Sequence, residues 1–287
     1  MQDAGTSVSE SECIARRRPA LIYFLLAFGI SWAGALVVAA PALVREHQPT
    51  NLMGMLMFPA MLLGPIISGI VLTVMVDGRA GFEDLLRRII AVRVAVGWYT
   101  MLLVPPALVL GLLLVLEKCI SPVFAPNHFY LGIAFGVPAG ICEEIGWMGF
   151  AFPKMRARLS PLLAAMILGF LWGLWHLPAI DFLGASVPHG KYWLRFFLAF
   201  TIVMTAMRVI IAWLYVNTGS VLLAQLMHVS STGALVVLSP RVGPGEEVLW
   251  YFGYGCLLCL LVAIIVSLTG WQLQVSERQN APAGNSG

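Results

Sequence analysis

Two glutamates stand side by side in "ICEEIGWMGF" (141–150), within a chain that is 60% hydrophobic and only 11% charged. Three further ionisable side chains, His176, Arg208 and His228, lie inside long apolar runs. Such groups are costly to keep in a membrane span, so each is a functional candidate by default. A carboxylate with two imidazoles can drive water onto a carbonyl: Glu143 as general base, the rings positioning the water or meeting the developing oxyanion. The same trio, Glu143, His176 and His228, could instead ligate a divalent metal such as zinc. No H-E-x-x-H pattern is present, so either version needs separate helices to converge. A helix–helix lock or the proton pathway of a transporter draws on the same residue types, and spacing alone leaves these open.

Spacing supplies the neighbours. Trp172 and His176 are four apart and share a helix face. Gln225, His228 and Thr232 form a polar stripe at steps of three and four. Glu143 and Glu144 lie about 100° apart around a helix, so they cannot both point straight at one target. Glu143 shares its face with Trp147 and Phe150, and Glu144 shares its face with Met148.

These groups need scaffolding, and the composition says which kind. A mean hydropathy of +0.88 over 287 residues leaves too little polar surface for a soluble domain. The expectation is an all-α polytopic membrane protein with about eight spans: 20–43, 53–76, 97–117, 129–150, 161–178, 192–217, 220–239 and 248–269. They form one membrane domain over 19–270 with the motif core at 129–236, between disordered tails at 1–18 and 271–287. Eleven lysines and arginines fall in the loops and tails on one side and five on the other. The positive-inside rule then places both termini in the cytoplasm, and the expected location of this integral multi-pass protein is a bacterial cell membrane. "FEDLLRRII" (82–90) reads as an interfacial helix on the cytoplasmic side, with Phe82, Leu85, Leu86 and Ile89 on one face. Its expected charge pairs are Glu83–Arg87 and Asp84–Arg88.

Depth links the scaffold to the chemistry. At 1.5 Å per residue, Glu143 and His176 lie roughly 20 and 22 Å above the arginine-rich end. By the same count Arg208 and His228 lie roughly 13 and 12 Å above it. Four separate helices thus deliver their polar groups to one zone near mid-membrane. His47, His128 and His189 fall in outer loops and read as solvated bystanders. Cys256 and Cys259 read as two small buried residues on one helix face. Scattered basic residues with no soluble domain to carry them exclude nucleic-acid binding. The expected partners are the lipid bilayer and a peptide or protein substrate at the membrane.

The segments "EEIGWMGFAFPKM", "FLWGLWHLP" and "RVIIAWLYVNTGSVLLAQLMHVSST" resemble, across about 78–236, the three motif regions of the CPBP family. These are intramembrane endopeptidases of the Abi type, CAAX prenyl proteases and bacteriocin-processing enzymes among them. The family pattern is E-E-x3-R, F-x3-H and H-x3-N. The resemblance implies an eight-helix fold with a cavity open to the cytoplasm and lipid. It also implies Glu143 as the base that activates water, His176 as the residue that orients it, and His228 as a holder of the oxyanion. The implied activity is hydrolysis of a peptide bond in CAAX-type, bacteriocin or membrane-peptide substrates. Its rivals are a non-catalytic peptide-binding or partner-assisting protein on the same scaffold and a proton-coupled transporter. Cofactor use stays open between none and a divalent metal.

Three positions depart from that pattern. Met148 replaces the arginine, Thr232 the asparagine, and Trp172 the phenylalanine. Without an arginine four residues on, Glu144 must be protonated or paired elsewhere, and Arg208 is the intramembrane cation at hand. Thr232 keeps a hydroxyl donor on a shorter side chain, and Gln225 could supply an amide in its place.

Overall fold

The computed structural model describes residues 17–44, 50–182 and 188–275, and every regular element among them is helical. Six segments are long and apolar enough to cross a membrane: Pro19–Val44, Leu52–Ile89, Val96–Cys119, Gly190–Thr218, Val221–Leu238 and Pro244–Gln272. The chain is an all-α polytopic membrane protein. In chain order its helices are α1 (Pro19–Val44), α2 (Asn51–Leu72), α3 (Gly78–Ile89), α4 (Val96–Thr100), α5 (Val104–Cys119) and α6 (Ile133–Gly146). There follow α7 (Phe152–Arg156), α8 (Pro161–Trp175), α9 (Trp193–Thr218), α10 (Val221–Leu238) and α11 (Pro244–Thr269).

Two of the eight expected spans, α6 and α8, are shorter than the rest, and they carry the first two motifs. Beyond Gly146 the backbone widens into a π-helical turn, Trp147–Ala151, before α7 resumes. Such turns recur where a helix must present side chains out of its regular register. Helix α8 stops at His176 because Pro178 disfavours helical geometry at Leu177, and a 3₁₀ segment, Leu177–Phe182, continues from there.

Helix α9 is the central post, packed against α8, α10 and α11, while α6 lies between α2 and α10. Gly219 ends α9 in the left-handed conformation at φ 65°, and the Ser220 hydroxyl caps α10 by accepting from the Leu223 amide at 3.1 Å. This sharp reversal lays α10 antiparallel beside α9, with Arg208 and His228 at matching depth. Close packing needs small residues. A Cβ at Gly140 would stand 2.7 Å from the Gln225 carbonyl oxygen, and one at Gly169 would stand 2.6 Å from Thr205 Cα. Those two glycines set the α6–α10 and α8–α9 spacings.

The arginine-rich end is stitched shut. Arg88 donates to the Tyr215 hydroxyl at 2.8 Å and to the Gly149 carbonyl at 3.2 Å, and Lys154 pairs with Asp77 at 2.5 Å. The expected amphipathic helix is present as α3, joined to α2 through a π turn, Thr73–Asp77. Leu85 is its buried anchor, whereas Leu86 is 45% exposed. Asp84 pairs with Arg88 as expected, but Glu83 pairs with Arg79 at 2.7 Å and Arg87 turns to Asp84 at 3.1 Å. Leu273 and Val275, expected in the tail, are docked: Leu273 is fully buried and Asn217 bonds both its carbonyl and the Val275 amide at 2.8 Å. The rest of the expected tails, 1–16 and 276–287, and His47 lie outside the described residues. Cys256 and Cys259 face outward, on the side of α11 turned away from the bundle.

His189, expected in solvent, is buried at the opposite end. Its ring stacks on Phe196 with centroids 3.9 Å apart, its Nδ1 is 3.0 Å from Asp181, and its Nε2 is 3.3 Å from the buried Glu247. Hydrogen bonds and charge from Glu247 and Asp181 oppose burial and hold the His189 pKa above the ordinary 6.5. A raised folded value adds stability below the unfolded value and loses it as pH rises through the folded one. The unfolding temperature of detergent-solubilised protein should therefore fall as pH is raised above 6.5. His189→Gln should flatten that dependence; an unchanged profile would sink the bridge.

Candidate active site

Glu143 projects from the last turn of α6, His176 caps α8, and His228 lies two turns into α10. All three line one cavity of about 660 Å³, together with Trp172 and Thr232. Two indoles fix Glu143 by donating to the same oxygen, Oε2: Trp172 from 2.7 Å and Trp147 from 3.1 Å. Oε1 remains for a ligand or water. Trp147 was visible in the sequence only as the residue four after Glu143.

Both imidazoles are anchored through Nδ1. His176 Nδ1 lies 2.8 Å from the Trp172 carbonyl oxygen, and His228 Nδ1 lies 2.7 Å from Glu144 Oε1. A carbonyl and a carboxylate only accept, so each Nδ1 carries the hydrogen and each Nε2 is left for the cavity. Trp172 braces both rings, with centroids 5.9 Å from His176 and 4.9 Å from His228.

Glu144 turns away from the cavity into a fully buried network. Arg208 Nη1 donates to both its oxygens, at 2.8 and 2.7 Å, and the guanidinium carbon sits 4.1 Å from the centre of the Trp172 ring. The carboxylate thus binds a cation from α9 and orients a histidine from α10. Met148, where the family pattern has arginine, is fully buried and apolar. Gln225 does not join the trio: it is buried, donates to the Ile141 carbonyl at 3.1 Å, and is absent from the cavity wall. Of the two residues weighed as a replacement donor, Thr232 alone lines the cavity.

Among the described residues, no group of three His, Cys, Asp or Glu side chains stands close enough to hold a metal ion. The donor set therefore does not fit a metal as it stands.

The cavity has a floor and a mouth. Beneath Glu143 the bundle is filled by Trp147, Met148, Phe150 and Arg208, none more than 1% exposed. The walls rise along Ala139 and Phe135 of α6, Thr232 and Val236 of α10, and Phe200 of α9. They end at Met55, Phe129 and Leu131, which are 54%, 41% and 61% exposed. These rim residues sit at the end opposite Arg79, Arg87 and Arg156. An opening beside the arginine-rich loops, which the resemblance and the orientation rule jointly imply, is not where this cavity leads.

Residues 125–234 match the family described as Type II CAAX prenyl endopeptidase Rce1-like. A 114-residue stretch is 32% identical to CAAX prenyl protease 2 of Methanococcus maripaludis, covering 37% of this chain and 38% of that relative. The family match takes in Glu143, His176, Arg208, His228 and Thr232.

Proposed function

We propose that this chain, whose residues 125–234 match the Rce1-like CAAX endopeptidase family, is an intramembrane endopeptidase that hydrolyses a peptide bond with a water activated by Glu143. One observation carries the reading: a carboxylate and two imidazoles from three different helices line one cavity, each fixed by a bond on its far side. Such bonds restrict the side chains before substrate arrives, so little reorganisation remains for the reaction.

The steps follow from the free atoms. Glu143 Oε1 takes a proton from water while His176 Nε2 orients it, and the resulting hydroxyl attacks the carbonyl carbon. His228, held through Nδ1 by Glu144, presents its Nε2 to the oxyanion side of the cavity, and the Thr232 hydroxyl is a donor on the same wall. Glu143 then delivers its proton to the departing amine as the C–N bond breaks. CAAX-type, bacteriocin and other membrane peptides are the substrate classes in view. Met148 and Thr232 favour one rival, a peptide-binding protein that does not cleave.

The test compares peptide termini in membranes from cells carrying wild type or Glu143→Gln at matched levels. Termini found only with wild type are the expected result and name the substrates. Identical termini from two folded proteins would remove the protease reading and favour the rival.

A further inference from the structure

We infer that Tyr251 of α11 is a substrate-binding residue: its phenolic hydroxyl donates to a backbone carbonyl of the peptide held in the cavity, on the side next to His176. The inference rests on reading the cavity as a peptide site, but binding without cleavage is enough to test it.

A peptide brings a C=O with every residue and an N–H with nearly every one, and inside an apolar cavity these groups lose their water. The wall has few side chains to replace it. Glu143, Trp172, His176 and His228 belong to the trio and its bracing, and Thr232 stands on the oxyanion side. Trp175 Nε1 and Ser239 Oγ are buried within the protein. Of the side-chain donors on the wall, among the described residues, that leaves Tyr251.

The phenol is held ready. Tyr251 is 4% exposed, and its ring centroid lies 4.9 Å from Phe196, 6.2 Å from Phe200 and 4.3 Å from Trp250. A tyrosine buried to that degree usually bonds its hydroxyl to a partner within the protein. This one has no hydrogen-bond partner among the described residues, and unlike the Tyr254 hydroxyl it is not sealed in the packing. A donor fixed in this way loses little freedom when a ligand arrives. The Phe200 ring that meets Tyr251 is also 5.0 Å from the His176 ring, so a single aromatic side chain separates Tyr251 from the residue that orients the water. An extended peptide advances about 3.4 Å per residue, so a carbonyl roughly two or three residues from the scissile bond comes within reach. Helix α11 lies beyond residues 125–234, the part of the chain that matches the family, so no motif in the sequence points to this group.

Peptide binding in detergent, read by fluorescence anisotropy, tests this without turnover. The protein carries Glu143→Gln so that the probe stays intact, and it is compared with the same protein bearing Tyr251→Phe. That second substitution deletes the hydroxyl and keeps the ring against Phe196, Phe200 and Trp250. The probe is a dye-labelled, non-repeating peptide of Ala, Leu, Val and Phe, with analogues that each carry one ester in place of an amide, since an ester carbonyl is the weaker acceptor. Tyr251→Phe should weaken binding of the all-amide probe by about 3–10-fold, the contribution of a single hydrogen bond, at an unchanged unfolding temperature. An ester at one position should weaken binding to the protein that keeps Tyr251 and have no further effect once the hydroxyl is gone. With Glu143 in place, Tyr251→Phe should raise KM by the same factor and leave kcat as it was. Equal affinity of the two proteins, ester penalties identical in both at every position, or no binding of the probe by either would overturn the assignment. A fall in kcat at unchanged KM would do so as well. A failed Tyr251 comparison leaves the Glu143 termini test untouched, and a chain that binds the probe but cleaves nothing leaves the binding comparison standing.

Discussion

Arg208→Met should destabilise the protein by about 3–5 kcal/mol, the cost of removing one member of a buried ion pair and leaving the other charged and unpartnered. The stranded group is Glu144, fully buried, with His228 its remaining partner among the described residues. Methionine occupies similar volume, so the loss reports charge and not a cavity. A double variant, Glu144→Leu with Arg208→Met, separates two roles. Replacing the whole pair by apolar side chains removes both desolvation costs, and most of the lost stability should return. Activity should not return with it, because His228 would have lost the carboxylate that orients its ring. The checks are unfolding of the purified protein in detergent and hydrolysis of a substrate found from the termini. An Arg208→Met protein as stable and active as wild type would show that the pair contributes nothing.

Glu143→Gln should lower hydrolysis by about 10²–10⁴-fold, the usual range for a positioned general base. The substitution is close to a pure chemical deletion. The glutamine carbonyl oxygen can accept from Trp147 and Trp172 as Glu143 Oε2 does, so the two indoles stay satisfied. What disappears is the oxygen that takes the proton from water. The fold should be retained, and its unfolding temperature should not fall. A kcat loss with little change in KM is the expected signature, since the peptide meets the apolar walls unchanged. Retention of full hydrolysis would reassign the base.

The class of the molecule follows from composition. With 60% hydrophobic and 11% charged residues, only lipid can solvate the surface, and only helices satisfy the backbone there. The common depth of Glu143, His176, Arg208 and His228 was legible too, because rise per residue is a property of the helix and not of its neighbours. The need of Glu144 for a partner other than residue 148 could be stated from charge alone.

Rotation about each helix axis and the distance between axes are different quantities, and they depend on what packs where. They turned Gln225 onto the Ile141 carbonyl and left Thr232 on the cavity wall. They buried His189 between Asp181 and Glu247, residues eight and fifty-eight positions away. They brought the arginine of α9 within 2.8 Å of a carboxylate on α6, through spacings that Gly140 and Gly169 permit. The mouth of the cavity was decided in the same way. A sequence records which residues are apolar, but filling one end with Trp147, Phe150 and Arg208 while leaving the other open is a matter of how their volumes meet in three dimensions.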